Sequence, residues 1–174
     1  MRTVTAMLAA GAIALAVWPG AAAAQLAAAA FHERFAGQWQ GTGTVQRSVD
    51  PGPRRVSCGV AGQASERQIA IGGTCRAAVI VTREIAANLA YDPATGRYVG
   101  TYIGSQAGPA RLEGTRQGDT INLNVTYAQP VGTDANARMI IRHAGGNQFS
   151  LTVMDQLEPG QPEIATTQLT FTQR

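Results

Sequence analysis

The chain has no lysine, two cysteines and two histidines, and charged residues fill only 14% of its 174 positions. A zinc site of His and Cys ligands needs three or four groups within reach; His32 and His143 cannot supply one if the cysteines are bonded to each other. A nucleophilic triad needs a histidine beside a nucleophile and an orienting acid. Neither histidine stands in such a setting. His32 falls in an alanine-rich N-terminal stretch, and His143 precedes Ala144-Gly145-Gly146, which reads as a solvated turn. The acids are scattered singly, and Asp50, Asp92, Asp119 and Asp134 sit in turn sequences, where aspartate usually holds backbone N–H groups. Asp155 and Glu158 flank another turn. Paired carboxylates and calcium loops are missing, so the sequence offers no catalytic residue, no metal site and no cofactor, and favours a binding protein over an enzyme. The charge balance is mild, with 14 arginines against 11 acids for a net +3. The one tight basic cluster, Arg54-Arg55, reads as a solvated strand end and not as a nucleic-acid site.

Long apolar runs are missing too, apart from one at the start. Arg2 is followed by apolar and small residues from Ala6 to Trp18, then by Pro19-Gly20 and Ala22-Ala23-Ala24. That pattern predicts an export signal over residues 1–24, cleaved near Ala24. The apolar stretch is about a dozen residues, short of the roughly 20 that span a bilayer as a helix. Neither cysteine lies near the cut, so no lipid-modified cysteine is expected at the new N-terminus. The expected product is a periplasmic or secreted chain of about 150 residues, one ordinary domain, with no integral membrane span. In an oxidising compartment Cys58 and Cys75 are expected to form a structural disulfide closing a loop of roughly 18 residues, worth about 3 kcal/mol.

Residues 25–36 predict a short helix, with Phe31 and Phe35 on one face. From residue 37 to 174 the apolar period is two. Ile121, Leu123, Val125 and Tyr127 alternate with Asn122, Asn124 and Thr126, the pattern of a strand with one buried face. Similar runs include Trp39 to Val45, Ile85 to Tyr91, Tyr98 to Tyr102, Phe149 to Val153 and Ala165 to Phe171. Turn sequences separate them: Asp50-Pro51-Gly52-Pro53, Gly62 to Ser65, Asp92 to Gly96, Gly104 to Gly108, Gln117-Gly118-Asp119, Gly132 to Asp134, Gly145-Gly146-Asn147 and Pro159 to Pro162. The prediction is an all-β fold, an antiparallel up-and-down barrel of about 8–10 strands in which closure removes the edges.

The string Gly37-Gln38-Trp39-Gln40-Gly41-Thr42-Gly43 resembles the opening strand of calycin barrels, the grouping of lipocalins, fatty-acid-binding proteins and nitrobindin-like haem barrels. The resemblance implies that Gly37 and Trp39 close the barrel base and that a late arginine, here Arg174, packs over Trp39. It departs from the grouping in lacking a lipocalin T-D-Y counterpart and a histidine in the final strand. Glycines at 41, 43 and 100 on inward faces leave two readings open: sharply bent strands around a filled core, or room for a ligand. Trp39, Tyr98, Tyr102 and Tyr127 are the candidate ligand-binding residues. Three functions follow as expectations: a carrier of a small apolar or amphipathic molecule, a solid-cored module that binds an envelope protein or protease through its 46–55 and 159–164 loops, or a haem barrel using His143.

Overall fold

The computed structural model describes residues 19–49, 51–77, 81–104, 108–131 and 134–174. The apolar segment 1–18 of the expected signal lies outside them. Helix α1 (Pro19–Glu33) is followed by ten antiparallel strands: β1 (Gly37–Val45), β2 (Arg54–Ser65), β3 (Gln68–Ala77), β4 (Val81–Asp92), β5 (Arg97–Ile103), β6 (Ala110–Gln117), β7 (Thr120–Val131), β8 (Asp134–Arg142), β9 (Gln148–Asp155) and β10 (Ile164–Gln173). Each strand pairs with its neighbours in sequence, and β1 pairs with β10 from Trp39↔Gln173 to Val45↔Thr167, so the sheet closes on itself. The fold is an all-β barrel, as the period-two pattern predicts.

Closure depends on where the chain can bend. A Cβ added at inward-facing Gly43, Gly73, Gly100 or Gly114 would lie 1.9–2.1 Å from a carbonyl oxygen of the adjacent strand. These positions are glycine because the neighbouring backbone occupies the side-chain site. At Gly41 the space is filled by the Phe171 ring, 2.5 Å from where a Cβ would be. At these positions the inward glycines bend the strands, and the space that a side chain would take is filled by neighbouring atoms.

The turn expected at Gly62 to Ser65 is instead the end of β2, and the chain reverses at Glu66-Arg67. The register explains the shift. Cys58 pairs with Cys75 and Ser65 with Gln68, so the hairpin is centred between residues 66 and 67. The cysteines are joined across this hairpin. Helix α1 ends at Glu33, earlier than the expected 36, because Phe35 is drawn into the barrel base, where it is fully buried.

The core runs down one barrel axis, with Trp39, Tyr98, Leu112, Ile121, Leu123, Met139 and Phe171 buried on the inner wall. Removing the cross-link should cost about 3 kcal/mol; reducing the protein, or making Cys58→Ala/Cys75→Ala, should lower the thermal midpoint without changing the far-ultraviolet circular dichroism. A Gly114→Ala chain should also be destabilised, by about 1–3 kcal/mol from overpacking against Asn122, as read from urea midpoints.

Candidate functional site

The two ends of the barrel differ. One carries α1 and the turns after β2, β4, β6 and β8; the other carries the connections after β1, β3, β5, β7 and β9. At the first end Phe31, His32 and Phe35 are fully buried. Phe35 packs edge-on against His143 and Phe149, Trp39 packs edge-on against the same two rings, and Phe149 stacks on Phe171. Arg34 and Arg116 lie over the Phe31 ring at 5.3 and 4.7 Å, within cation–π range.

Polar groups pin this plug at four places. The Trp39 indole donates to the Phe35 carbonyl at 3.0 Å. His32 Nδ1 faces the Ser65 and Glu66 carbonyls, both at 3.1 Å, so it carries the proton; Nε2 accepts from the Tyr98 hydroxyl at 2.8 Å. His143 Nε2 donates to the Arg34 carbonyl at 2.8 Å, and its Nδ1 accepts from the Gly145 N–H at 3.3 Å. The Arg34 guanidinium closes the clamp on Asp119 and on the His143 carbonyl. His143 is therefore buried and not a solvated turn residue: the two glycines after it let the chain turn away while the imidazole stays inside. Both rings have both nitrogens engaged, so neither offers a free lone pair to a metal or haem iron.

At the opposite end, inward-facing side chains keep partial exposure. Val45, Cys75, Ala77, Ile85, Tyr102, Val131 and Ala135 rest on the core without being sealed by it. Below them the interior is full. An internal void between Phe35, Ile69, Leu89, Ile121 and Ile141 holds about 10 Å³, room for one water at most. The interior is thus a plug, a packed middle and a shallow cup.

The cup has a polar floor. Asp155 is 3% exposed; Tyr127 donates to its Oδ1 at 3.2 Å, and the Thr166 hydroxyl bonds its Oδ2. Thr166 points inward because the pairing of β9 with β10 slips between Ala165 and Thr167, a bulge that re-aims a side chain. Burial pushes the Tyr127 phenol well above its ordinary value, and the Asp155 carboxylate adds to the shift. Burial also raises Tyr102, with Arg83 opposing and Asp155 reinforcing. Tyr98, at the plugged end, is pushed up to about 12 by burial, partly offset by Arg116.

The four candidate ligand residues are thus not one site. Trp39 and Tyr98 belong to the plug, where hydrogen bonds occupy them, whereas Tyr102 and Tyr127 lie in the cup. Arg174 is exposed; its N–H donates to the Gln38 carbonyl and its guanidinium bonds the Gln40 amide oxygen, on the outer side of β1 from Trp39. Asp155, Thr166 and Arg83 went unread as site residues. An acid before a turn looks solvated, a bulge hides the parity of Thr166, and an arginine at an inward position marks Arg83 only once the register of β4 is known.

On the outer wall, Arg111, Glu113, Asn124, Asn136, Arg138 and Glu163 line a groove of about 590 Å³ between β6 to β8 and the β9–β10 connection. Arg138 pairs with Glu163, and Glu113 with Arg97 and Arg111.

Burial lowers both histidine pKa values below 6.5, with hydrogen bonds to carbonyls opposing. The unfolded chain then binds more protons than the folded one in the range just below that value, so stability is intact above about pH 6.5 and falls as pH drops below it. Thermal midpoints should follow this course, and a His32→Gln/His143→Gln chain should lose the slope across that window.

Among the described residues no helix is long and apolar enough to cross a membrane. The crystal structure of Rv2717c from M. tuberculosis shares the fold, with a TM-score of 0.61 at 16% identity over 81% of this chain and 93% of that one. No curated protein matches this chain. The model of the family described as a protein of unknown function (DUF1579) matches residues 27–172. Ten strands closed around a plugged interior thus have a family, and the chain belongs to DUF1579.

Proposed function

We propose that the protein is an exported carrier of a small apolar or amphipathic molecule, held in the open half of the barrel. The observation that carries this reading is the gradient of exposure along the inner wall. On β3, Ile69 is buried while Ile71, Cys75 and Ala77 are half-buried; on β5, Tyr98 is buried while Tyr102 is half-buried. Apolar groups facing inward yet reached by solvent are what a ligand would cover. The disulfide joins β2 to β3 beside this wall, at Cys58 and Cys75, and suits an oxidising compartment. Tyr102, Tyr127 and Thr166 add hydroxyl groups that orient a polar end. Covering one aliphatic side-chain equivalent contributes about 1.5–3 kcal/mol, so a medium-chain ligand reaches roughly micromolar affinity.

A second reading, a module that binds an envelope protein, is favoured by the polar outer groove and the adjoining 156–163 connection. The two separate by mutation. A fluorescent fatty-chain probe should bind the wild type, bind at least tenfold more weakly to Tyr102→Ala, and fail to bind Ala77→Trp, whose indole fills the cup. Binding that neither change affects, or no binding by the folded wild type, would move the function to the outer surface.

A further inference from the structure

The rim of the cup is uneven. Pairing between β4 and β5 stops at Ala86↔Ile103, whereas pairing between β3 and β4 continues to Ala77↔Val81. The β3–β4 hairpin therefore projects five residues past β5, roughly 17 Å at about 3.3 Å per residue. β2 flanks its other side as far as Val56↔Ala77 and then continues to Arg54, paired with β1.

This raised edge is basic and apolar together. Arg47, Arg54, Arg55, Arg76 and Arg83 all lie on it, and among the described residues none makes an ion pair; the arginines that do are Arg34, Arg97, Arg111 and Arg138. Residues 46–55 and 76–84 hold these five arginines against Asp50 and Glu84, a net +3, equal to the formal net charge of the whole chain. Arg54 and Arg83 occupy inward register positions, beside Val56 and Ile85, and so stand over the mouth. Arg47 follows the end of β1 where Val45 pairs with Arg54, and burial and the charges of Arg83 and Arg54 lower its pKa. Val49 and Val81, 53% and 47% exposed, sit among them. On the other side of β1, the β9–β10 part of the rim carries Asp155, Glu158 and Glu163, so the charge changes sign along the rim.

We propose that the β1–β4 edge of the mouth docks on a bilayer surface rich in anionic phospholipid. The arginines bind phosphate groups, and Val49 and Val81 enter the headgroup layer. Unpaired guanidinium groups around exposed aliphatic side chains match that surface, which offers negative charge outside and apolar volume beneath. Docked this way, the cup opens toward the lipid. This proposal stands whether or not the cup holds a ligand, because it rests on the charge and exposure of the rim and not on what fills the cup.

Co-sedimentation of the full chain with phosphatidylcholine vesicles, with and without phosphatidylglycerol, tests it. Wild type should partition onto the anionic vesicles at low salt and be released by high salt. Arg76→Gln/Arg83→Gln should lower the partition constant about 25-fold, at about fivefold per arginine. Val81→Ser should weaken it further, and Arg142→Gln, on the outer wall at the plugged end, should leave it unchanged. Thermal midpoints of all three should match wild type, so that a loss of binding is not a loss of fold. Partitioning that the double variant retains, or a chain that stays in the supernatant, would overturn the proposal. Salt-sensitive dimers in light scattering with no vesicle binding would assign the edge to a second copy instead.

Discussion

Helix α1 enters one end of the barrel through Phe31 and Phe35, and the rest of the interior is arranged around the end it seals. A ten-stranded sheet closed on itself has two openings and no edges, so a plug at one opening leaves a single approach. The seal is also where the polar cost of burial is met. The Trp39 indole and His143 donate to the carbonyls of Phe35 and Arg34, and His32 is held between the Tyr98 hydroxyl and the Ser65 and Glu66 carbonyls. Buried groups of this kind are stable only when each has a partner, and among the described residues no buried side-chain nitrogen or oxygen lacks one.

The inner wall then divides by height. Near the plug the inward positions are aromatic and sealed, in the middle they are buried branched aliphatics, and toward the mouth they are small or half-exposed. Glycines at 43, 73, 100 and 114 set the curvature by letting adjacent strands approach where a side chain would block them. Near the mouth the polar groups cluster by sign, with Asp155 beside Tyr127 and Thr166 on the β9–β10 side of β1, and on its β2–β4 side arginines that make no ion pair among the described residues. The cup therefore carries a field as well as an apolar wall.

Much of this was legible in the amino-acid sequence, and what was not has a common cause. Alternation such as Ile121-Leu123-Val125-Tyr127 reports which face a side chain takes, and that suffices for a barrel; the Cys58–Cys75 bridge was legible because the chain has two cysteines and an expected export signal. It says nothing of height. Trp39, Tyr98, Tyr102 and Tyr127 share the inner face, yet only the pairing register shows that two belong to the plug and two to the cup. Local context misled at His143, where Gly145-Gly146 signals a turn without revealing that the imidazole points back under Arg34. The bulge at Thr166 inverts the parity that would have placed its hydroxyl outside. Asp155 is buried for a reason no linear pattern holds: its partners come from β7 and β10.

Isotope-labelled methyl groups would test the central claim most directly, that the open half of the barrel is the ligand chamber. On titration with a soluble fatty-chain amphiphile, methyl signals of Val45, Ala77, Ile85, Val131 and Ala135 should shift together and saturate, while those of Ile69, Ile121 and Leu123 stay fixed. Shifts spread evenly through the core, or confined to residues along the outer groove beside Arg111 and Arg138, would contradict it.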